Sequence, residues 1–106
     1  MRRQSAGQLE MLLLSVLAGA PRHGYAVIEA LRERSDGAFD LAEGTVYPAL
    51  RRLEDAGLVR SRWSEVKGRR RRVYEVTGAG AGALAERRAE WTALVTGVDA
   101  VLGWSS

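Results

Sequence analysis

Hydrophobic spacing turns from helical to strand-like at Gly57 in this 106-residue chain, and that change restricts the folds open to it. Upstream, apolar residues recur at helical intervals. Leu9, Leu12, Leu13, Val16 and Leu17 step by three and four along one face, and Gly19-Ala20-Pro21 ends that helix. A second helix over residues 24–34 turns Val27, Ile28 and Leu31 inward, and Ser35-Asp36-Gly37 is a turn signal. A third, over residues 43–56, buries Val46, Leu50 and Leu53, tolerates Pro48 near its first turn and stops at Gly57. Phe39 and Leu41, flanking Asp40, predict a short extended segment between the two. Downstream, residues 58–65 and 71–77 are rich in Val, Trp, Tyr and Thr and read as strands. Val66-Lys67-Gly68-Arg69-Arg70 forms the loop between them, with a glycine for the turn, and Trp63 is expected to fill the base of this hairpin.

Helical spacing then resumes. Thr77 is placed to cap a last helix whose start is weak, since Gly78, Gly80 and Gly82 each cost about 1 kcal/mol relative to alanine. Leu84, Trp91, Leu94, Val95, Val98, Val101 and Leu102 give it a long apolar stripe. A chain of 11.6 kDa has room for one core, and a terminal helix has little of it left to cover. Met11 and Leu14 lie off the main face of the first helix, which predicts a second cover from outside the domain.

Charge narrows the function. Residues 51–72 hold nine basic residues (Arg51, Arg52, Arg60, Arg62, Lys67, Arg69, Arg70, Arg71, Arg72) against three acids, a local excess of six, while the whole chain carries only +3. A concentrated arginine segment in an otherwise mildly acidic chain suits a localised polyanion contact; a solvated hairpin tip is the plainer reading of the charges alone. There is no cysteine and one histidine, so no thiol nucleophile, disulfide or ordinary zinc ligand set is available. No nucleophile–base pair and no phosphate-cradling glycine loop is present either, so no enzyme, metal or cofactor is expected. Apolar runs fall far short of the ~20 residues that span a bilayer. Met1-Arg2-Arg3-Gln4-Ser5 is not followed by a leader pattern, and a cytoplasmic protein is expected.

Three helices followed by a basic two-stranded hairpin is the order of a winged helix-turn-helix, a mainly α fold with a small β-hairpin. One helix of such a fold enters the major groove, a second braces it, and the hairpin reaches adjacent phosphates or the minor groove. Residues 1–77 are expected to form this unit and 78–106 a dimerisation helix. A winged helix used for protein–protein or RNA contact is the alternative, with the basic hairpin as solubilising surface.

The motifs go further. His23-Gly24-Tyr25, Gly44-Thr45-Val46-Tyr47-Pro48-Ala49-Leu50, Arg52-Leu53-Glu54-Asp55-Ala56-Gly57-Leu58-Val59, Gly68-Arg69-Arg70-Arg71-Arg72-Val73-Tyr74 and Thr77-Gly78-Ala79-Gly80 occur in that order. Together they resemble the PadR family of bacterial transcriptional regulators over residues 9–102. The resemblance implies a homodimeric, ligand-responsive repressor with a single C-terminal helix, bound to a palindromic operator in double-stranded DNA with half-sites about 10 bp apart. It implies that Tyr47 holds the DNA backbone, that Thr45, Pro48 and Arg51 approach bases, and that Lys67, Arg69 and Arg70 contact DNA outside the central groove. Arg52, Tyr25 and His23 are further DNA candidates, although entry and packing of the second helix is an equal role for Tyr25 and His23. The dimer interface is expected from Leu14, Leu84, Trp91, Leu94, Val95, Val98 and Leu102. Trp91 is also placed to stack on a small planar aromatic ligand. Two positions depart from the family pattern. Ala42 stands where a polar residue would cap the third helix, and Gly78 where an acid often opens the last one.

Overall fold

A computed structural model describes residues 6–104, from Ala6 to Trp104. Residues 1–5, on which the reading of no leader partly rests, lie outside the described part. The elements are α1 (Ala6–Gly19), β1 (Arg22–His23), α2 (Gly24–Arg34), α3 (Glu43–Asp55), β2 (Val59–Val66), β3 (Arg69–Val76) and α4 (Gly78–Leu102). The three helices, the hairpin and the last helix follow the order read from the spacing. The core gathers Leu13, Leu14, Val27, Val46, Leu50, Leu53 and Val59, each essentially inaccessible to solvent. No helix of the described residues is long and apolar enough to cross a membrane.

Four details differ from the sequence reading. The hairpin loop is two residues, not five: Lys67 and Gly68 both take positive φ (52° and 76°), the arrangement that matches strand twist, and pairing begins at Val66↔Arg69. Arg69 and Arg70 are therefore strand residues on opposite faces. Phe39 and Leu41 form no strand. The Phe39 N–H donates to the Ser35 hydroxyl (2.8 Å), and Leu41 packs on the core. The third strand is β1, too short to leave a periodic trace; it pairs antiparallel with β3 through Arg22↔Tyr74 and His23↔Val73, giving the order β1-β3-β2. Trp63 does not fill the hairpin base but stands 56% exposed on it.

The second side of α1 has its cover within the same chain. Leu14 is fully buried in the core, and α1 packs against α4. Glu10 pairs with Arg87 of α4 at 2.7 Å, and Arg88 donates to the Ser15 hydroxyl at 3.3 Å. Leu84 likewise lies in the core. Leu14 and Leu84 are thus corrected from interface to core residues, because the early turns of α4 close the domain themselves.

Gly80 explains how α4 docks so closely. A Cβ there would collide with the Leu58 carbonyl oxygen. The Gly80 N–H donates to the Thr77 hydroxyl (3.1 Å), which donates in turn to the Gly57 carbonyl (2.7 Å). Gly57 itself has φ 77°, and the Leu58 N–H returns to the Leu53 carbonyl at 2.9 Å, so α3 ends in a Schellman-type cap against the start of α4. Past Trp91 nearly every α4 side chain is exposed. That outer half projects from the head and makes the molecule 55 Å long against 28 and 20 Å across.

Candidate nucleic-acid interface

Helix α3 sorts its residues by face. Val46, Ala49, Leu50 and Leu53 point into the core, which leaves Thr45, Pro48, Arg51 and Arg52 outward in solvent. Ala42 makes no side-chain cap, and Asp40 does not replace it, since that carboxylate faces Arg32 at 3.8 Å. Tyr47 lies between core and solvent at 37% exposure. Its ring covers Gly24, the first residue of α2: a Cβ at Gly24 would lie 2.8 Å from the Tyr47 hydroxyl and 2.7 Å from Cζ. The glycine of His23-Gly24-Tyr25 and the tyrosine of the α3 motif are thus two halves of one contact. Burial, reinforced by the Glu43 carboxylate and opposed by Arg71, raises the Tyr47 phenol above its ordinary pKa. It stays a neutral O–H donor at physiological pH, able to serve an anionic oxygen.

His23 caps α2, its Nδ1 accepting the Ala26 N–H at 3.3 Å, while Nε2 lies 2.8 Å from Arg71 Nη1. A neutral imidazole has one lone pair, so only one of these contacts can be a full hydrogen bond at a time. Burial first, then Arg71, lowers the His23 pKa, with Glu29 opposing. Tyr25 is half exposed beside it.

The sheet adds two arginines, Arg71 and Arg72. Alternation puts Arg71 beside His23 and Tyr47, and Arg72 on the face that adjoins α3. Arg72 donates from Nε to the Ser61 hydroxyl at 2.8 Å and approaches Glu54 at 3.9 Å. Tyr74, buried beneath, has its phenol pKa raised by burial, with Arg72, Glu54, Tyr47 and Arg51 as its electrostatic neighbours. One patch therefore joins α3, the start of α2 and β3. Lys67, Arg69 and Arg70 stand further out on the exposed hairpin tip. Sequence reasoning missed Gly24, Arg71, Arg72 and Tyr74 as members of the patch. The two-residue strand β1, which brings His23 to β3, was the missing link.

A second surface lies on α4. Trp91, Leu94, Val95, Val98 and Leu102 are exposed, and Val101 more so. Trp91 and Leu94 line a cleft of about 230 Å³ with Met11, Glu90 and Arg87. Arg87 holds Glu10 through Nη2, while its Nη1 is buried without a hydrogen-bond partner among the described residues.

A helix triad, a basic outward face on its third helix and a paired wing define a winged helix-turn-helix protein. The model of the PadR-like family of transcriptional regulators matches residues 13–86. The chain belongs to that family. It is 47% identical over 57 residues to a transcriptional regulator of Mycobacterium tuberculosis, covering 54% of this chain and 53% of that one. The solved structure of a PadR family regulator from Eggerthella lenta is 38% identical, covers 91% of this chain and 82% of its own, and superposes with a TM-score of 0.79. A transcriptional regulator from Clostridium thermocellum is 27% identical with a TM-score of 0.82, over 88% of this chain and 91% of that one.

Proposed function

We propose that the chain is a sequence-specific DNA-binding repressor that acts as a homodimer on a palindromic operator in double-stranded DNA. Residues 1–77 serve as the DNA-binding unit, and 78–106 carry the dimerisation helix. Helix α3 enters the major groove with Thr45, Pro48, Arg51 and Arg52 toward base edges. Tyr47, with Tyr25, His23 and the neighbouring Arg71, meets the phosphate backbone. The wing places Lys67, Arg69 and Arg70 on flanking backbone or minor groove. The observation that carries the reading is the continuity of the patch: Tyr47 on Gly24, Arg71 on His23 and Arg72 on Ser61 and Glu54 bind three elements into one outward cationic surface.

Dimerisation rests on the outer half of α4. Leu94 is 55% exposed and Trp91 40%, on a helix whose outer turns are mostly exposed. Two copies joined there would set two α3 helices at groove spacing. The Trp91 cleft supports a second element, response to a planar aromatic ligand that stacks on the indole and offers an acceptor to the unpartnered Arg87 Nη1.

Selecting bound fragments from the host's own genomic DNA, followed by salt-dependent gel shifts against competitor, tests the function. A two-fold symmetric site is expected, with affinity falling steeply as salt rises. Recovery of no enriched duplex, or equal displacement by any competitor, refutes operator binding. In the same assay, replacing Arg69 and Arg70 together by alanine should weaken all sequences alike and flatten the salt slope.

A further inference from the structure

The half-exposed indole of the wing sits in an ordered stack. Trp63 on β2 pairs directly with Arg72 on β3, and Glu65 with Arg70. Both arginines lean over the indole, with the Arg70 guanidinium 4.7 Å and that of Arg72 5.1 Å from the ring centroid. The two differ in what else they do. Arg72 is held from the α3 side by Ser61 and Glu54. Among the described residues Arg70 makes no ion pair, so the ring is its anchor. This sheet face also carries Val59, Tyr74 and Val76, so it continues the surface of the domain that meets α3.

We propose that Trp63 is a positioning residue of the wing: its indole holds the Arg70 guanidinium over the sheet face that adjoins α3, so that Arg70 meets a DNA phosphate already ordered. The inference rests on the DNA-binding reading above. Arginine has among the largest rotamer entropies to lose on immobilisation, and a side chain laid on an aromatic face has lost part of it before binding. An indole also leaves the charge in place, unlike a carboxylate partner, so Arg70 keeps its full attraction for phosphate. Arg72, braced on Glu54, also lies over the ring and ties the stack to α3.

The test uses the full chain and a labelled duplex of mixed sequence, because a phosphate contact does not depend on base order. Binding is titrated over a range of KCl for wild type, Trp63→Leu, Trp63→Phe, Arg70→Ala and the Trp63→Leu/Arg70→Ala pair. Loss of an exposed cation–π contact corresponds to about threefold per wing, hence about tenfold for a dimer that uses two. Trp63→Leu should weaken binding by that factor while keeping the wild-type salt slope, since no charge is removed. Trp63→Phe should recover most of the loss. Arg70→Ala should reduce the slope by about one ion per wing, and the double variant should be no weaker than Arg70→Ala alone. Wild-type affinity in Trp63→Leu, or losses that multiply in the double variant, would overturn the positioning role and leave the DNA reading standing. A wild-type protein that binds no duplex at any salt would remove both.

Discussion

Replacing Gly24 with alanine is the sharpest probe of the patch, because two effects of opposite sign compete there. Gly24 begins α2, and alanine in a helix ordinarily stabilises by ~0.4–1 kcal/mol, largely by restricting the unfolded chain. Here the new methyl would lie 2.7 Å from Tyr47 Cζ, where carbon atoms in contact prefer ~3.5–4 Å. Cε1 lies closer still, so the ring must retreat by more than about 1 Å. Val46 and Leu50 on the same helix are locked in the core, so the retreat is a rotation of Tyr47 toward solvent. Fully burying a large apolar side chain contributes ~1.5–3 kcal/mol. Tyr47 keeps 37% of its surface exposed, so about two-thirds of that, ~1–2 kcal/mol, is at stake. Subtracting the helix gain leaves Gly24→Ala destabilising by about 1 kcal/mol, a fall in Tm of roughly 4–8 °C for a domain of this size.

Tyr47→Ala decides the cause. With the ring gone, the three nearest obstacles to an alanine at 24 are removed, so Gly24→Ala should turn stabilising in that background by about 0.5 kcal/mol. The resulting coupling of ~1.5 kcal/mol would be read from urea unfolding followed by far-UV circular dichroism at one fixed protein concentration. Equal stabilisation in both backgrounds would refute the contact. It would also remove the reason why the glycine of one motif accompanies the tyrosine of the other.

Other perturbations separate the roles of neighbouring residues. Gly82→Ala should raise stability by about 0.5–1 kcal/mol in thermal melts, since a Cβ there meets nothing, whereas Gly80→Ala should lower it by more than about 2 kcal/mol. The difference arises because the Leu58 carbonyl that obstructs Gly80 already accepts the Thr77 N–H and cannot step aside. His23, its pKa held below the usual 6.5 by burial and Arg71, contributes stability that is present above that value and lost as pH falls through the folded pKa. Melts taken from neutral pH to about pH 5 should therefore show a decline that His23→Gln flattens. On the proposed dimer, Leu94→Glu should yield monomers in sedimentation at working concentration and weaken duplex binding, because a two-fold axis would place the carboxylate in the apolar seam twice.

What the spacing revealed and what it hid follow from the range of the interactions. The inward residues of α2 and α3 recur every three or four positions, so Val27, Leu31, Val46, Leu50 and Leu53 were legible one helix at a time. Gly57 was legible as a stop because its αL geometry is a local matter. The wing was visible, but its tip was not: a positive φ at Lys67 disfavours any non-glycine residue, and the five-residue loop read from composition ignored that two suffice. Strand β1 left no trace, since two residues cannot show alternation, and with it went the approach of His23 to Arg71. Leu14 and Leu84 were assigned outward because a stripe does not say which neighbour covers it. Here α1 and α4 of one chain cover each other, so the apolar surface left for a partner begins at Trp91.

That division of α4 gives a short physical route between a cleft on its outer half and the DNA-facing patch. The helix is clamped to α1 by Arg87 on Glu10 and Arg88 on Ser15, one turn before Trp91. Two turns earlier it rests on the corner where α3 ends and β2 begins, through Gly80, Thr77 and the Leu58 carbonyl. No loop intervenes between lever and corner, and a close backbone contact cannot absorb a tilt as a flexible side chain would. On the proposed reading, the outer turns reach about 21 Å beyond the clamp at 1.5 Å per residue, so a small rotation between two such helices is magnified at the heads. A ligand in the Trp91 cleft need then favour one dimer angle over another by only ~1–3 kcal/mol to change operator affinity five- to a hundredfold. Arg87 sits at the junction of the cleft and the clamp, so the group that would sense the ligand also fixes the lever.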